Sequence, residues 1–291
     1  MNVRFRHRVE YAIVQAFRGM VRIAPRRVSL AVGSALGALF HRLHASRREV
    51  GADNLRATFP EMTEPERRKI LNATFRQIGR HVIDFLNFDA MSREQMMPLI
   101  DMEGGEHVER ARAEGRGVMY FAGHYGSWEL QIIVHALHYS PITMIARKLD
   151  NPLLERLIEQ IRTRVGTRVL PRQGATRGLL RALREGESVG MMIDQHISDR
   201  SAIRIDFLGR PAATTTAIAS FALRFDAPII PVFALPKADG RYRMVYEPPI
   251  EPPDDDDPDP IRTCTRRCTE RLEARIRAEP HLWLWMHRRW R

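Results

Sequence analysis

Apolar and polar residues follow two different periods along this chain, and the change between them divides it. Between Val9 and Ala24, the residues Val9, Ile13, Ala16, Phe17, Met20 and Ala24 recur at helical spacing, while Arg18 and Arg22 lie four apart on another face. That pattern predicts a basic amphipathic helix. A second helix is predicted over Val28 to Leu43, and Thr63-Glu-Pro-Glu66 is a capping-box start for a third that runs to about Phe88. Glu103 to Glu114 reads as a further short helix, so the first hundred residues are predicted to be mainly helical.

Beyond that point the chain turns to compact apolar runs bounded by turn residues. These are 117–122, 142–146, 188–193, 227–234 and 242–246, each read as a buried strand. Helical segments fall between them near 129–138, 152–165, 175–185 and 214–225. Such alternation predicts an α/β fold with a mixed, largely parallel central sheet flanked by helices, preceded by a helical, membrane-associating N-terminal region. Pro248 to Pro260, with Asp254 to Asp257 inside it, is an exposed connector, and its acids favour the N-terminus of a last helix over Ile261 to Ala278.

With 291 residues, 44% of them hydrophobic, the chain can bury a core and is too apolar to be disordered. The formal charge is +11, and only Lys69, Lys148 and Lys237 are lysines, so the basic residues are overwhelmingly arginine. Residues 1–50 hold ten arginines against Glu10 and Glu49, and residues 261–291 hold nine against Glu270, Glu273 and Glu279. The stretch between is slightly acidic. Basic ends imply an anionic partner, and arginine clusters without interleaved aromatics argue against nucleic acid. The charge-free run Val28 to Phe40 has thirteen residues where a membrane span needs about 20. The first helix is therefore expected to lie in the headgroup region or to pack on the domain. Two cysteines, Cys264 and Cys268, lack the second ligand pair of a structural zinc site and read as packing residues in a reducing compartment; no metal is expected.

The candidate chemistry sits after the first strand, in Gly123-His-Tyr-Gly-Ser-Trp-Glu129. A histidine at a strand-to-helix junction can offer one ring nitrogen to a substrate while a carboxylate fixes the other. Five residues of continuous helix would set His124 and Glu129 about 140° apart. Their pairing therefore requires His124 to occupy the turn before the helix. Asp194 ends an apolar strand and needs partners there: it orients His124, binds an arginine, or holds the local architecture.

Taken with Asn54-Leu-Arg-Ala-Thr-Phe-Pro60 and the helix start Glu64 to Arg68, this cluster resembles the late acyltransferases of lipid A biosynthesis, within the lysophospholipid acyltransferase superfamily. Further matching blocks are Arg147-Lys-Leu-Asp-Asn-Pro152, Asp194-Gln195, Phe207-Leu-Gly-Arg-Pro-Ala-Ala-Thr214 and Trp283-Leu-Trp-Met-His-Arg-Arg-Trp290. They extend over nearly the whole chain, which is then one acyltransferase domain, 1–291, with a catalytic α/β core over 100–250 and a Trp- and Arg-rich tail. Two departures stand out. The superfamily's usual carboxylate is Asp, whereas Glu129 is the form of the lipid A branch, and the N-terminal span of many relatives is weak here.

The resemblance implies transfer of a fatty acyl chain from an acyl carrier protein thioester to a hydroxyl of a lipid A precursor of the Kdo-lipid IVA type. The setting it implies is the cytoplasmic face of a bacterial inner membrane. His124 is then the general base, Glu129 stabilises the imidazolium, and no covalent acyl-enzyme or cofactor is needed. Amides of the turn or a nearby arginine would hold the oxyanion. Arg147, Asn151, Asp194, Gln195, Gly209 and Arg210 are the candidate substrate-binding residues, the arginines suited to phosphate or carboxylate of an anionic glycolipid. Gly209 and Thr214 would shape the loop and cap the following helix. Trp283, Trp285 and Trp290, with Arg288, Arg289 and Arg291, would sit at a membrane interface or cover the core. Acylation of a lysophospholipid or a phosphatidylinositol mannoside by the same His-Glu chemistry stays open at this point, as does a non-catalytic anionic membrane or nucleic-acid binder.

Overall fold

The protein is described by a computed structural model over residues 3–198 and 202–290. The helices are α1 (Phe5–Ile23), α2 (Arg26–Leu43), α3 (Ala45–Thr58), α4 (Glu64–Phe88), the single turn α5 (Arg93–Met96) and α6 (Gly105–Ala113). They continue with α7 (Trp128–His138), α8 (Pro152–Thr163), α9 (Ala175–Arg184), α10 (Ala217–Phe225) and α11 (Pro260–Ala278). The strands are β1 (Ile100–Glu103), β2 (Val118–Ala122), β3 (Ile142–Ala146), β4 (Arg168–Pro171), β5 (Ser188–Met192), β6 (Ile203–Phe207), β7 (Arg210–Thr214), β8 (Ile229–Pro236) and β9 (Tyr242–Tyr246).

Seven strands form one sheet in the order β1-β9-β8-β2-β5-β3-β4. Five of them run parallel, and only the β8–β9 hairpin turns the chain back, so that β9 and β1 run against the rest. The expected mixed, largely parallel α/β sheet is what forms. The strand β2 lies between β5 and β8 and is buried along its whole length, which explains its unbroken apolar run. Met119 and Phe121 pack on one face with α9, α10 and α11, while Val118 and Tyr120 pack on the other with α6, α7 and α8. Cys264 and Cys268 are free and buried among the first group.

Helix α3, the single turn α5, strands β1 and β4 and the β6–β7 hairpin escaped the periodicity. Strands β1 and β4 have four residues each, and β1 ends on Glu103, the first residue of the stretch read as a helix, which forms as α6. The stretch around Gly209, read as a loop ahead of a helix near 214–225, is the turn of the β6–β7 hairpin, a separate two-stranded sheet. The capping box of Thr63 and Glu66 forms as expected, with Glu66 accepting from the Thr63 amide at 2.7 Å.

The N-terminal helices are tied to this body by arginines. Arg18 and Arg22 both reach Asp89 at the end of α4, each at 2.9 Å, and Arg26 joins Asp84 and the Tyr242 hydroxyl at 2.9 and 3.0 Å. Helices α2 and α4 touch through bare backbone: a Cβ at Gly79 would lie 2.0 Å from the Gly33 carbonyl oxygen and 2.9 Å from the Gly37 nitrogen. Among the described residues no helix is long and apolar enough to cross a membrane. Gly79→Ala should therefore cost about 1–3 kcal/mol of stability by forcing the two helices apart. A denaturation midpoint equal to that of the parent chain would show that the crossing tolerates the methyl group.

Candidate active site

The sheet register brings the site together. Ala122 at the end of β2 pairs with Met192 at the end of β5, and the Ile193 amide still donates to the Ala122 carbonyl at 3.1 Å. Two residues further along each chain stand His124 and Asp194, side by side at the carboxyl edge of the sheet. Between them Gly123 leaves room, since a Cβ there would sit 3.2 Å from an Asp194 oxygen and 2.8 Å from Leu272.

His124 occupies the turn before α7. Its Nδ1 lies 2.8 Å from Asp194 Oδ1, and its backbone N–H donates to Oδ2 at 2.7 Å. The Trp283 indole N–H adds a second bond to Oδ2 at 2.9 Å. Asp194 is 3% exposed, and burial alone would drive its pKa up. The facing His124, with the bonds from its ring, from Trp283 and from its own backbone, reverses this and brings the group down to about 2, so that it stays charged. His124 shows the converse balance. Burial opposes its protonation, but the charge and hydrogen bond of Asp194, helped by Glu129, raise its pKa above the ordinary 6.5.

A carboxylate facing Nδ1 makes that nitrogen the N–H donor and leaves Nε2 as the acceptor. Gln195 supports this tautomer, its side-chain nitrogen lying 3.1 Å from Nε2. The ring is partly open to solvent on this side, its side chain 19% exposed. Trp128 meets it edge-on with ring centroids 5.4 Å apart, and stacks on its far side against His81 at 3.9 Å. Burial lowers the His81 pKa to about 4, which keeps that ring neutral.

The expectation that Glu129 fixes the imidazole is corrected. Glu129 is in the first turn of α7, pointing at α8, where Arg162 grips both carboxylate oxygens, one through Nε at 2.9 Å and the other through Nη2. Both side chains are largely buried, at 13% and 15% exposure, so the pair is a committed ion bridge that touches His124 only through space.

The C-terminal segment closes the site from behind. Tyr125 and Trp283 form an antiparallel bridge, Leu284 N–H donates to the His124 carbonyl at 3.1 Å, and Gly126 N–H donates to the Leu282 carbonyl at 2.9 Å. Gly126 has φ 63°, and a Cβ there would meet the Ala234 carbonyl oxygen at 2.3 Å, so no other residue fits this turn. The amides of Tyr125, Gly126 and Ser127 are all bound to carbonyls, which removes the turn itself as the expected oxyanion cradle. Trp283 and Trp285 are buried and cover the core. Arg289 is buried as well, bonding the Gln195 and Ala213 carbonyls and the Thr214 hydroxyl, and burial lowers its pKa to about 10. Arg291 lies outside the described residues.

Other expected binding residues have structural partners. Asn151 caps α8, accepting from Leu153 at 2.9 Å, and its amide ties down α1 through the His7 carbonyl and Glu10 at 3.0 and 2.8 Å. It is 5% exposed and fully engaged, which removes it from the site. Gly209 lies in the hairpin turn with Leu208, both at positive φ, and Arg210 stacks on Trp290 at 4.5 Å. Arg147 stands on the surface paired with Asp150 at 3.3 Å. Arg162 and His81 are not signalled by any spacing, and neither is the bond of Trp283 to Asp194, because each arrives from a distant element.

Removing Glu129 leaves Arg162 buried without its counter-ion, which should cost about 3 kcal/mol or more, whereas Glu129→Ala combined with Arg162→Met should recover much of that loss. Thermal unfolding of the two single variants and the double variant measures the coupling, and additive losses would contradict it.

Comparisons with known proteins place the chain in a family. The family model "Bacterial lipid A biosynthesis acyltransferase" matches residues 1–291. The chain is 28% identical over 269 residues to the lipid A biosynthesis lauroyltransferase of Escherichia coli K12, covering 92% of this chain and 86% of that protein. It is 26% identical over 269 residues to the lipid A biosynthesis palmitoleoyltransferase of the same organism, with the same coverage. Among solved structures, a 1-acyl-sn-glycerophosphate acyltransferase from Thermotoga maritima aligns with a TM-score of 0.36 at 14% identity, over 86% of this chain and 100% of that one.

Proposed function

Because the chain belongs to the bacterial lipid A biosynthesis acyltransferase family, we propose that it moves a fatty acyl chain from an acyl carrier protein thioester to a hydroxyl of a Kdo-lipid IVA-type precursor, with His124 as general base. The observation that carries this reading is the imidazole held at Nδ1 by a buried, charged Asp194 with Nε2 facing the open side. An alcohol is a poor nucleophile at neutral pH, and such a ring is built to take its proton. As the hydroxyl oxygen attacks the thioester carbonyl, its proton passes to Nε2 and Asp194 stabilises the imidazolium. Collapse of the tetrahedral intermediate breaks the C–S bond, and the imidazolium protonates the departing thiolate. No acyl-enzyme and no cofactor enter. Ser127, buried at 1% exposure, is poorly placed as a nucleophile.

Gln195 occupies the position of the incoming hydroxyl and must turn aside, after which its amide lies within reach of the reacting atoms. The Glu129–Arg162 bridge fixes the first turn of α7 and with it Trp128, one wall of the base. His124→Ala should lose about a thousandfold in turnover, and Asp194→Asn about a hundredfold, with the fold retained. Only neutral His124 accepts a proton, and its raised pKa holds the proton to higher pH. Activity should therefore climb with pH through a limb above 6.5. Transfer assays with acyl carrier protein thioesters check this; near-normal turnover in either variant, or a limb below 6.5, contradicts the assigned roles.

The enzyme would work at the cytoplasmic face of the inner membrane. Attachment to a membrane surface is supported by a stripe of exposed apolar side chains on α1 and α2, including Phe5, Ile13, Ile23, Val28, Leu36 and Leu43, set among arginines, while the face and membrane follow only from the family reading. Lying in the headgroup region, each large side chain contributes at most about 1.5–3 kcal/mol of binding, since several are already partly covered. Phe5→Ser with Ile23→Ser should weaken binding to anionic phospholipid vesicles by at least about tenfold in co-sedimentation, and unchanged binding would contradict this attachment.

A further inference from the structure

Asp194 has two oxygens with unequal duties. Oδ1 faces the His124 ring, while Oδ2 takes the His124 backbone N–H at 2.7 Å and the Trp283 indole N–H at 2.9 Å. The proton transfer described above does not require that indole. Trp283 is nevertheless buried at 1% exposure and fixed on every side. Backbone bonds of its neighbours Leu282 and Leu284 hold Gly126 and His124, and its ring packs edge-on against Trp285 and Phe207 at 4.7 and 5.5 Å. Any large ring would fill this space. Only a ring with an N–H at that edge gives Oδ2 its second donor.

We propose that Trp283 is a positioning residue for the acyl transfer step: its indole N–H locks the Asp194 carboxylate so that Oδ1 alone meets the imidazole, and withdraws charge from it so that His124 remains a base of moderate strength. The proposal rests on the reading of His124 as general base. A hydrogen bond from a neutral donor to a carboxylate stabilises the anion and weakens its pull on a neighbouring cation. Loss of that donor concentrates the negative charge on the imidazole side, which makes His124 hold its proton more tightly. The other ionisable groups around the pair are Glu129 on α7, His81 on α4 and Arg289 in the C-terminal segment, with the Gln195 amide on Nε2. None of these groups is hydrogen-bonded to the Trp283 side chain. Trp285 supplies the control, since it is equally buried and its indole N–H donates at 2.7 Å to the Pro280 carbonyl, away from Asp194.

The test uses the full chain labelled with 13Cε1-histidine, the His124 resonance being assigned by its loss in His124→Gln. In Trp283→Phe the His124 titration midpoint should move to higher pH, and in Trp285→Phe it should remain that of the parent chain. In transfer assays Trp283→Phe should lose about tenfold in kcat with KM for the thioester little changed, the acid limb moving with the midpoint. A Trp283→Phe midpoint equal to that of the parent, or shifted equally in both variants, overturns the proposal. Should Trp283→Phe fail to fold, the parent chain still decides. The Trp283 indole N–H resonance should shift as His124 titrates, and a resonance that stays still overturns the proposal. His124→Gln with full turnover would instead remove the general-base reading, and the titration would still report on Trp283 by itself.

Discussion

The register between β2 and β5 determines where this protein can bury a charge. With Ala122 opposite Met192, the chains leave the sheet in step, and the second residue beyond each end meets its counterpart. Asp194 pays for its burial with three hydrogen bonds, from the His124 ring, the His124 backbone and Trp283, and remains ionised. A slip of one residue in either strand would turn one of the two side chains to the opposite face and leave a bare carboxylate in the core. Gly123, Gly126 and the C-terminal segment serve this one contact. The glycines let backbone approach, and the segment from Leu282 to Leu284 clasps the turn that carries His124.

Proximity in sequence and proximity in space diverge at Glu129. It is five residues from His124, and the motif suggests a pair. Once α7 begins at Trp128, the helix turns Glu129 toward α8, and Arg162 claims both of its oxygens. The carboxylate that meets the imidazole comes from seventy residues away. Glu129 still favours a charged His124 through space, and its bridge to Arg162 anchors the first turn of α7 behind Trp128.

Much of this architecture is readable along the chain, for identifiable reasons. The apolar runs of β2, β3, β5, β8 and β9 declare themselves because buried parallel strands tolerate few polar residues, and Thr63 to Glu66 announces α4 through its cap. His124 stands out because glycines flank it at a strand end, and Asp194 because it terminates an apolar strand. What sequence could not supply is which distant groups meet. Arg289 is one of 43 arginines and Trp283 one of four tryptophans, and neither differs in local pattern from its neighbours. Short β1 and β4 carry too few residues to show a period, and the tight Leu208-Gly209 turn that makes β6 and β7 a hairpin lies inside a stretch that reads as a loop.

Asp194, rather than Glu129, holds the His124 ring by Nδ1. Nitrogen-15 spectra of histidine-labelled protein distinguish the two ring tautomers directly. Neutral His124 should carry its proton on Nδ1, Asp194→Asn should abolish this preference, and Glu129→Gln should preserve it. A proton on Nε2, or a tautomer that responds to Glu129→Gln and ignores Asp194→Asn, would contradict this assignment.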